Sequence, residues 1–349
     1  MQREIKIEDR LVGAGEPCFI IAEAGVNHNG DINLAKKLVD VAKDAGVDAV
    51  KFQTFKSEGV VIEECEIADY ARENMGKNIK QIDMIKKLEL KYEDFVELKR
   101  YCDKKGIMFL STPHSYDAID FLEPLVPIYK IGSGDLTNLP FLEKIAKKGK
   151  PIILSTGMSN LGEIEEAVGI IKKTGCDKIT LLQCTTNYPT KMEEINLSVM
   201  ETLKHAFKLP IGFSDHSLGI NAAIGAVALG ACIIEKHFTL DKNLPGPDHK
   251  ASLEPDDLKA MVNNIRDVEK ALGNGIKKPT KEEDEIKKVA RKSIVAKTDI
   301  PEGTIITKDM LEIKRPGIGI KPKYYWEILG GKTKRTLKKG ELIRFNDLE

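Results

Sequence analysis

Long apolar runs are missing from this 349-residue chain. None approaches the roughly 20 residues that a membrane-spanning helix needs, which excludes a helical membrane protein. A surplus of one charge is missing as well. The 54 basic and 54 acidic residues cancel, which removes the electrostatic basis for a nucleic acid or other polyanionic partner. The opening "MQREIKIEDR" is charged rather than apolar, so no secretory leader is expected and a cytoplasmic location is. The six cysteines lie far apart with no CxxC pair, several of them inside apolar runs, and read as free buried thiols rather than disulfides. Histidine is scarce too, at six residues, yet "FSDHSLG" (213–219) and "IIEKHFTLD" (233–241) each place one where an apolar run ends.

What the chain does contain is an alternation. Eight β-like runs, "CFIIAEAG", "DAVKFQTF", "IMFLSTP", "PIYKIGSGD", "PIILSTGM", "ITLLQCTT", "PIGFSDHS" and "CIIEKHFT", are separated by amphipathic helical patterns. In "INLAKKLVDVAKDAG" (32–46), Leu34, Leu38, Val41, Ala42 and Ala45 share one face, and Gly46 ends the pattern as a C′ glycine, as Gly175 ends 160–175. Buried parallel strands read as continuous apolar runs joined by crossover helices. Eight β/α units in about 270 residues predict an α/β fold with a closed (β/α)8 barrel. A doubly wound open sheet is the competitor, but "EAGVNHNG" after the first run lacks the GxGxxG spacing. The expected organisation is a catalytic barrel over 1–272, a charged linker over 273–290 and a small, mostly β domain over 291–349 that holds the only tryptophan, Trp326. Residues 56–91 form an insertion after the second strand, expected on the catalytic face.

In such a barrel the active site forms at the C-terminal strand ends. Here each run ends in polar residues: Glu23 and Asn27; Lys51 and Gln53; Ser111 and Thr112; Lys130, Ser133 and Asp135; Ser155 and Thr156; Thr185, Thr186 and Tyr188; Ser214, Asp215 and His216; Glu235, Lys236 and His237. A lone histidine more often bonds a loop carbonyl than a metal. Two on neighbouring strands, with Glu235 and Asp248 as oxygen donors nearby, point to a catalytic, open-sided divalent ion. Lys51 and Lys130 could snorkel to the surface, but each sits inside an apolar run, where an unpaired ammonium costs several kcal/mol. An anionic ligand accounts for them better, with Thr112, Ser133, Ser155 and Ser214 completing a cradle for phosphate and carboxylate. A Schiff-base role for Lys130 competes with this. Cys184 reads as core, and His249 as exposed or as a support for its neighbour Asp248.

The motifs "AEAGVNHNGD", "VKFQTF", "YKIGSGDL", "LSTGM", "CTTNYPT", "GFSDHSLG", "IEKHFTLD", "GPDHKASL" and "KRPGIGIKP" together resemble the N-acetylneuraminate (sialic acid) synthases, from about residue 15 to the C-terminus. That resemblance implies a (β/α)8 barrel with a C-terminal antifreeze-like (SAF) domain, assembled as a domain-swapped homodimer. It implies an enzyme that condenses phosphoenolpyruvate with an N-acetylated amino sugar, N-acetylmannosamine foremost, and releases phosphate. It also implies a divalent metal ion, Mn2+ before Mg2+ or Co2+. By resemblance His216 and His237 are the metal ligands, and Lys51, Thr112, Lys130, Ser133, Ser155 and Ser214 hold phosphoenolpyruvate. Glu23 is the acid/base residue, Gln53, Tyr188, Glu235 and Asp248 contact the sugar, and Arg315 reaches the sugar's acyl group across the dimer. The sequence departs from the sialic acid pattern at Thr186, where an asparagine is usual, with Asn187 shifted by one. Acceptors leading to legionaminic or pseudaminic acid are therefore the alternative. A Schiff-base aldolase, or a sugar- or ice-binding protein suggested by the small domain, are the readings from other classes.

Overall fold

The chain enters its first unit through a short hairpin. In the computed structural model, which describes residues 4–62, 65, 72 and 80–349, β1 (Glu4–Ile7) pairs antiparallel with β2 (Arg10–Gly13). Eight parallel strands follow: β3 (Phe19–Gly25), β4 (Ala49–Thr54), β5 (Met108–Pro113), β6 (Tyr129–Ile131), β7 (Ile152–Ser155), β8 (Ile179–Cys184), β9 (Ile211–Asp215) and β10 (Ile233–His237). They are hydrogen-bonded in the order β5-β4-β3-β10-β9-β8-β7-β6. The first barrel strand therefore meets the last, Phe19 opposite Ile233 and Glu23 opposite His237. Only β5 and the three-residue β6 lie side by side without a ladder, so the ring is a nearly closed (β/α)8 barrel.

The crossover helices start and stop where local chemistry dictates. Asp31 caps the helix Ile32–Ala45 by accepting from Asn33 N, and Gly46 ends it at φ 80°. Its buried face is Ala35, Leu38, Val39, Ala42 and Ala45, turned slightly from the face the periodicity suggests. Within each strand, alternation sorts the side chains. Ile20, Ala22, Val50 and Phe52 face outward onto the helices. Phe19, Ile21, Ala49, Leu110, Ile153, Leu182 and Ile233 face inward, and Ile5, Ile7 and Val12 of the hairpin close the lower end. Each Ile, Leu, Val or Phe among them stabilises by roughly 1.5–3 kcal/mol. Gly212 lets β9 into this layer, because a Cβ there would lie 2.5 Å from Leu182 Cδ2 and 2.6 Å from the Ile233 carbonyl oxygen. Asp48 fixes the hairpin to the barrel: it accepts from Ile20 N at 2.7 Å and pairs with Arg10 and, at 3.1 Å, with Arg266.

The chain divides into two compact units, Met1–Gly273 and Asn274–Glu349. In the second, β11 (Ser293–Ala296) pairs antiparallel with β12 (Leu311–Lys314) around Ile294, Ile300, Ile306, Leu337 and Ile343. The stretch 273–290, read from composition as a linker, holds a helix, Lys281–Ala290. It buries none of its side chains and is sustained locally, by a Thr280–Glu283 capping box and by Asp284–Lys287 and Glu285–Lys288 pairs. Of the insertion 56–91, residues 63–64, 66–71 and 73–79 lie outside the described residues; Met84 and Leu88 pack against Val26 and Phe55. Cys18, Cys102, Cys176, Cys184 and Cys232 are buried and form no disulfide. No described helix is long and apolar enough to cross a membrane.

Candidate active site

One turn of alternation above the apolar floor, the barrel interior becomes charged. The same inward face that carries Ile21, Ala49, Ile128, Ile153, Leu182 and Ile233 carries Glu23, Lys51, Lys130, Ser155, Cys184 and Glu235 two residues later. These side chains line a pocket of about 150 Å3, together with Gln53, Thr112, His114, Ser133, Thr186, Tyr188, Ser214, His216 and His237. Thirteen of the fifteen residues that the family resemblance places at the site are thereby brought to one cavity. Asp248 lies in an adjoining apolar pocket that shares Gln53 and His114 with it. Arg315 is an exposed residue of the second unit, its Nε donating to the Ala290 carbonyl at 3.0 Å.

The lysines are not unpaired. Lys51 Nζ lies 2.6 Å from Glu23 Oε2 and 3.5 Å from Glu235 Oε2, and donates to Thr112 Oγ1 at 3.0 Å. Lys130 Nζ lies 3.5 Å from Glu235 Oε1 and donates to Ser155 Oγ at 2.8 Å. The expectation that their burial alone demands an anionic ligand is corrected by these two carboxylates, which share a strand interior with them and supply the counter-charge. The result is a buried layer of two cations and two anions whose acidities are pushed apart. Burial and the Glu235 charge lift Glu23, against the pull of Lys51, to about 7. Burial also works against the Glu235 carboxylate, but Lys130 and Lys51 outweigh it and hold the group down at about 2. One carboxyl group is set to exchange a proton near neutrality while the other stays ionised, the division of labour expected of an acid/base site.

Above this layer the two histidines lie 5.5 Å apart, ring centre to ring centre, with Tyr188 against both. His216 Nδ1 is 2.7 Å from the Thr185 carbonyl oxygen, which only accepts, so the proton sits on Nδ1 and Nε2 offers a lone pair. Burial drives His237 well below the ordinary imidazole range, and its Nδ1 is buried with no hydrogen-bond partner. Among the described residues no group of three His, Cys, Asp or Glu side chains is placed to hold a metal ion. Two imidazoles with nothing closing the set fit an ion completed by substrate oxygens, and do not fit a closed structural site.

Several residues behave differently from their reading in the sequence. Cys184, which its apolar run would place in the core, lines the pocket 3.7 Å from His216 Nδ1. Burial opposes its thiolate, yet His216, Ser133 and Lys130 leave the thiol below its ordinary value. His114 is a further pocket residue, and "STPH" carries the same signal as the other two histidines, a ring directly past an apolar run. Asp215 and Lys236 point the other way and pair with each other at 2.8 Å. Asp135 faces His114, Ser111 bonds Thr54, and Thr156 and Thr185 bond main-chain carbonyls. His249 is fully buried, bonded to Thr239 and Asn29. Gly157 is tightly confined: a Cβ there would meet Thr186 Oγ1 at 2.2 Å and Ser133 Oγ at 2.8 Å. Thr186 Oγ1 is itself buried without a hydrogen-bond partner.

A family model described as the NeuB family matches residues 38–277, and a SAF domain model matches 291–349. The chain belongs to the NeuB family. This NeuB-family chain is 52% identical to the N,N'-diacetyllegionaminic acid synthase of Campylobacter jejuni, over 93% of its own length and 98% of the relative's. It is 40% identical to the human N-acetylneuraminate-9-phosphate synthase, over 96% and 93% of the two lengths. Among solved structures, the N-acetylneuraminic acid synthetase of Leptospira borgpetersenii, in complex with citrate, is similar at a TM-score of 0.72 and 39% identity, covering 82% of this chain and 95% of that one. The NeuB-family chain is accordingly an enzyme, a synthase with a catalytic barrel and a C-terminal SAF domain.

Proposed function

We propose that this enzyme condenses phosphoenolpyruvate with an N-acetylated amino sugar to give a nonulosonic acid and inorganic phosphate. The observation that carries this reading is the buried Lys51–Glu23–Glu235–Lys130 layer beneath a pair of adjacent histidines. The enol carbon of phosphoenolpyruvate attacks the open-chain sugar aldehyde, forming the C–C bond as the carbonyl π pair moves onto the aldehyde oxygen, which takes up a proton to become a hydroxyl, and leaving positive charge on the adjacent carbon. Water adds there as Glu23 takes its proton, and the tetrahedral centre expels phosphate by C–O cleavage to leave the keto acid. Lys51 and Lys130, with Thr112, Ser133, Ser155 and Ser214, stabilise the phosphate and carboxylate charge. Gln53, Thr186, Tyr188, Glu235 and Asp248 orient the sugar. His216 and His237 would hold a divalent ion, Mn2+ foremost, that supplies Lewis-acid polarisation of the aldehyde.

For the acceptor, the 52% identity to a diacetyllegionaminic acid synthase against 40% to a sialic acid 9-phosphate synthase favours a diacetylated sugar over N-acetylmannosamine, in keeping with Thr186 at the departing position. Phosphate release from phosphoenolpyruvate across a panel of mono- and diacetylated hexosamines tests this. The diacetylated acceptor is expected to show a kcat/KM at least about tenfold above the rest, a difference of about 1.4 kcal/mol. Release with no acceptor in the panel, or inactivation by borohydride in the presence of pyruvate without any metal, would overturn the synthase reading in favour of a Schiff base on Lys130.

Glu23 makes a pH prediction. Protonated, it cannot accept the proton of water, so kcat/KM should fall about tenfold per pH unit below about 7 and level off above it. Glu23→Gln should lower kcat by about 10²-fold and abolish that limb in a pH profile of phosphate release. An unchanged limb in the variant would assign it to another group.

We also propose a cytoplasmic, domain-swapped homodimer in which Arg315 of one subunit completes the barrel of the other, its planar guanidinium pairing with the acyl oxygen in a way lysine could not match. Mixing Arg315→Ala with Lys130→Ala subunits should restore part of the activity, since each heterodimer then has one undamaged site. No rescue, with subunit exchange demonstrated, would exclude the swap.

A further inference from the structure

Two residues of the motifs that carry the histidines take no part in the pocket. Asp215 precedes His216 and Lys236 precedes His237, and both are fully buried on the outward side of the barrel. They are register partners at the last rung of the β9–β10 ladder, which ends with Lys236 opposite Asp215. Beyond that rung no β9–β10 ladder bond holds residue 216 to residue 237. The side chains continue the connection. Asp215 Oδ2 lies 2.8 Å from Lys236 Nζ, while Oδ1 accepts from Ser217 N at 2.8 Å and Ser217 Oγ at 2.7 Å. Lys236 Nζ also donates to the Ser217 carbonyl. His216 is thus bracketed, with the residue before it and the residue after it both tied to the residue before His237. Its own carbonyl accepts from Thr190 N at 2.9 Å, which leaves the main chain at 216 little freedom.

We infer that the buried Asp215–Lys236 pair is a positioning device that fixes the separation of the His216 and His237 imidazoles for a divalent ion. A buried ion pair adds little net stability over an apolar pair of similar volume, so stability alone is a poor account of two charges at this depth. An apolar pair would fill the space but could not accept from Ser217 N or donate to its carbonyl, and residue 216 would then be free to turn. Groups that orient metal ligands from behind typically contribute 10–100-fold to metal affinity.

The inference rests on the metal reading of the two histidines, and the test separates the two. Mn2+ alone is titrated into the full-length protein, with the free ion followed by electron paramagnetic resonance and the melting temperature recorded for every variant. The wild type should bind Mn2+ and His216→Ala should not. Asp215→Asn/Lys236→Met, which removes both charges together and leaves no unpaired ion in the core, should bind at least about tenfold more weakly while still melting cooperatively. Ser217→Gly keeps both charges, loosens the main chain beside His216, and is expected to lose affinity about threefold; it decides the matter if the double variant does not fold. Wild-type Mn2+ affinity in either folded variant overturns the positioning role and leaves the metal reading standing. Failure of the wild type to bind Mn2+, or equal binding by His216→Ala, overturns both.

Discussion

Lys51→Met is expected to lower kcat/KM for phosphoenolpyruvate by about 10³-fold, equivalent to about 4 kcal/mol of transition-state stabilisation. Two losses add. The first is the ammonium that faces the developing phosphate charge. The second is internal: Lys51 stands between Glu23 and Glu235, 2.6 and 3.5 Å away, and its removal leaves two buried carboxylates facing each other. Glu23, already lifted by burial, then rises further and stays protonated at neutral pH, where it cannot act as a base. Steady-state phosphate release at several pH values separates the two effects, because the second recovers at high pH and the first does not. Breaking a buried pair from one side also costs about 3–5 kcal/mol of stability, so a thermal melt belongs beside the kinetics. A loss smaller than tenfold at every pH would mean that Lys51 serves the core and that the phosphate sits elsewhere.

His216→Ala and His237→Ala should each reduce metal-dependent turnover by at least about 10³-fold, again about 4 kcal/mol, with far-ultraviolet circular dichroism unchanged. Both rings stand at the mouth rather than in the sealed floor, so either can be lost without opening the apolar layer below. Chelator should mimic the substitutions in the wild type and do nothing more to the variants. Full turnover in the double variant, or in excess chelator, would remove the ion from the reaction.

Much of this was legible in the amino acids because the barrel repeats one physical rule. Each of the eight apolar runs became a strand, since a strand buried on both faces must be apolar along its length. Strand ends were equally legible as the place where polar residues gather. What the runs conceal is direction. Ser214, Asp215 and His216 look equivalent in the sequence, yet alternation sends the first and third into the pocket and the second outward to Lys236. Glu235, Lys236 and His237 repeat the division. The same rule brings Cys184 inward, two residues beyond Leu182. The pairing of Lys51 and Lys130 with the two glutamates was not legible, because it depends on which strands become neighbours when the sheet curls. The N-terminal hairpin escaped because four-residue strands carry too few alternations to stand out.

The meeting of Phe19 with Ile233 has a consequence for how the chain is made. β3 is the first barrel strand to leave the ribosome and its partner β10 is the last. At a synthesis rate of about 5–20 residues per second, β3 shows one unpaired edge to the cell for on the order of ten seconds or more. An exposed apolar edge is a template for pairing with other chains. The bulge between Glu23 and Gly25 lies in the pairing with β4, so the edge awaiting β10 is regular from Phe19 to Glu23, and the hairpin of residues 4–13 packs at its lower end. Newborn chains stalled before residue 233 should accordingly be the species that chaperones hold, and release should follow the emergence of the final strand rather than of the SAF domain.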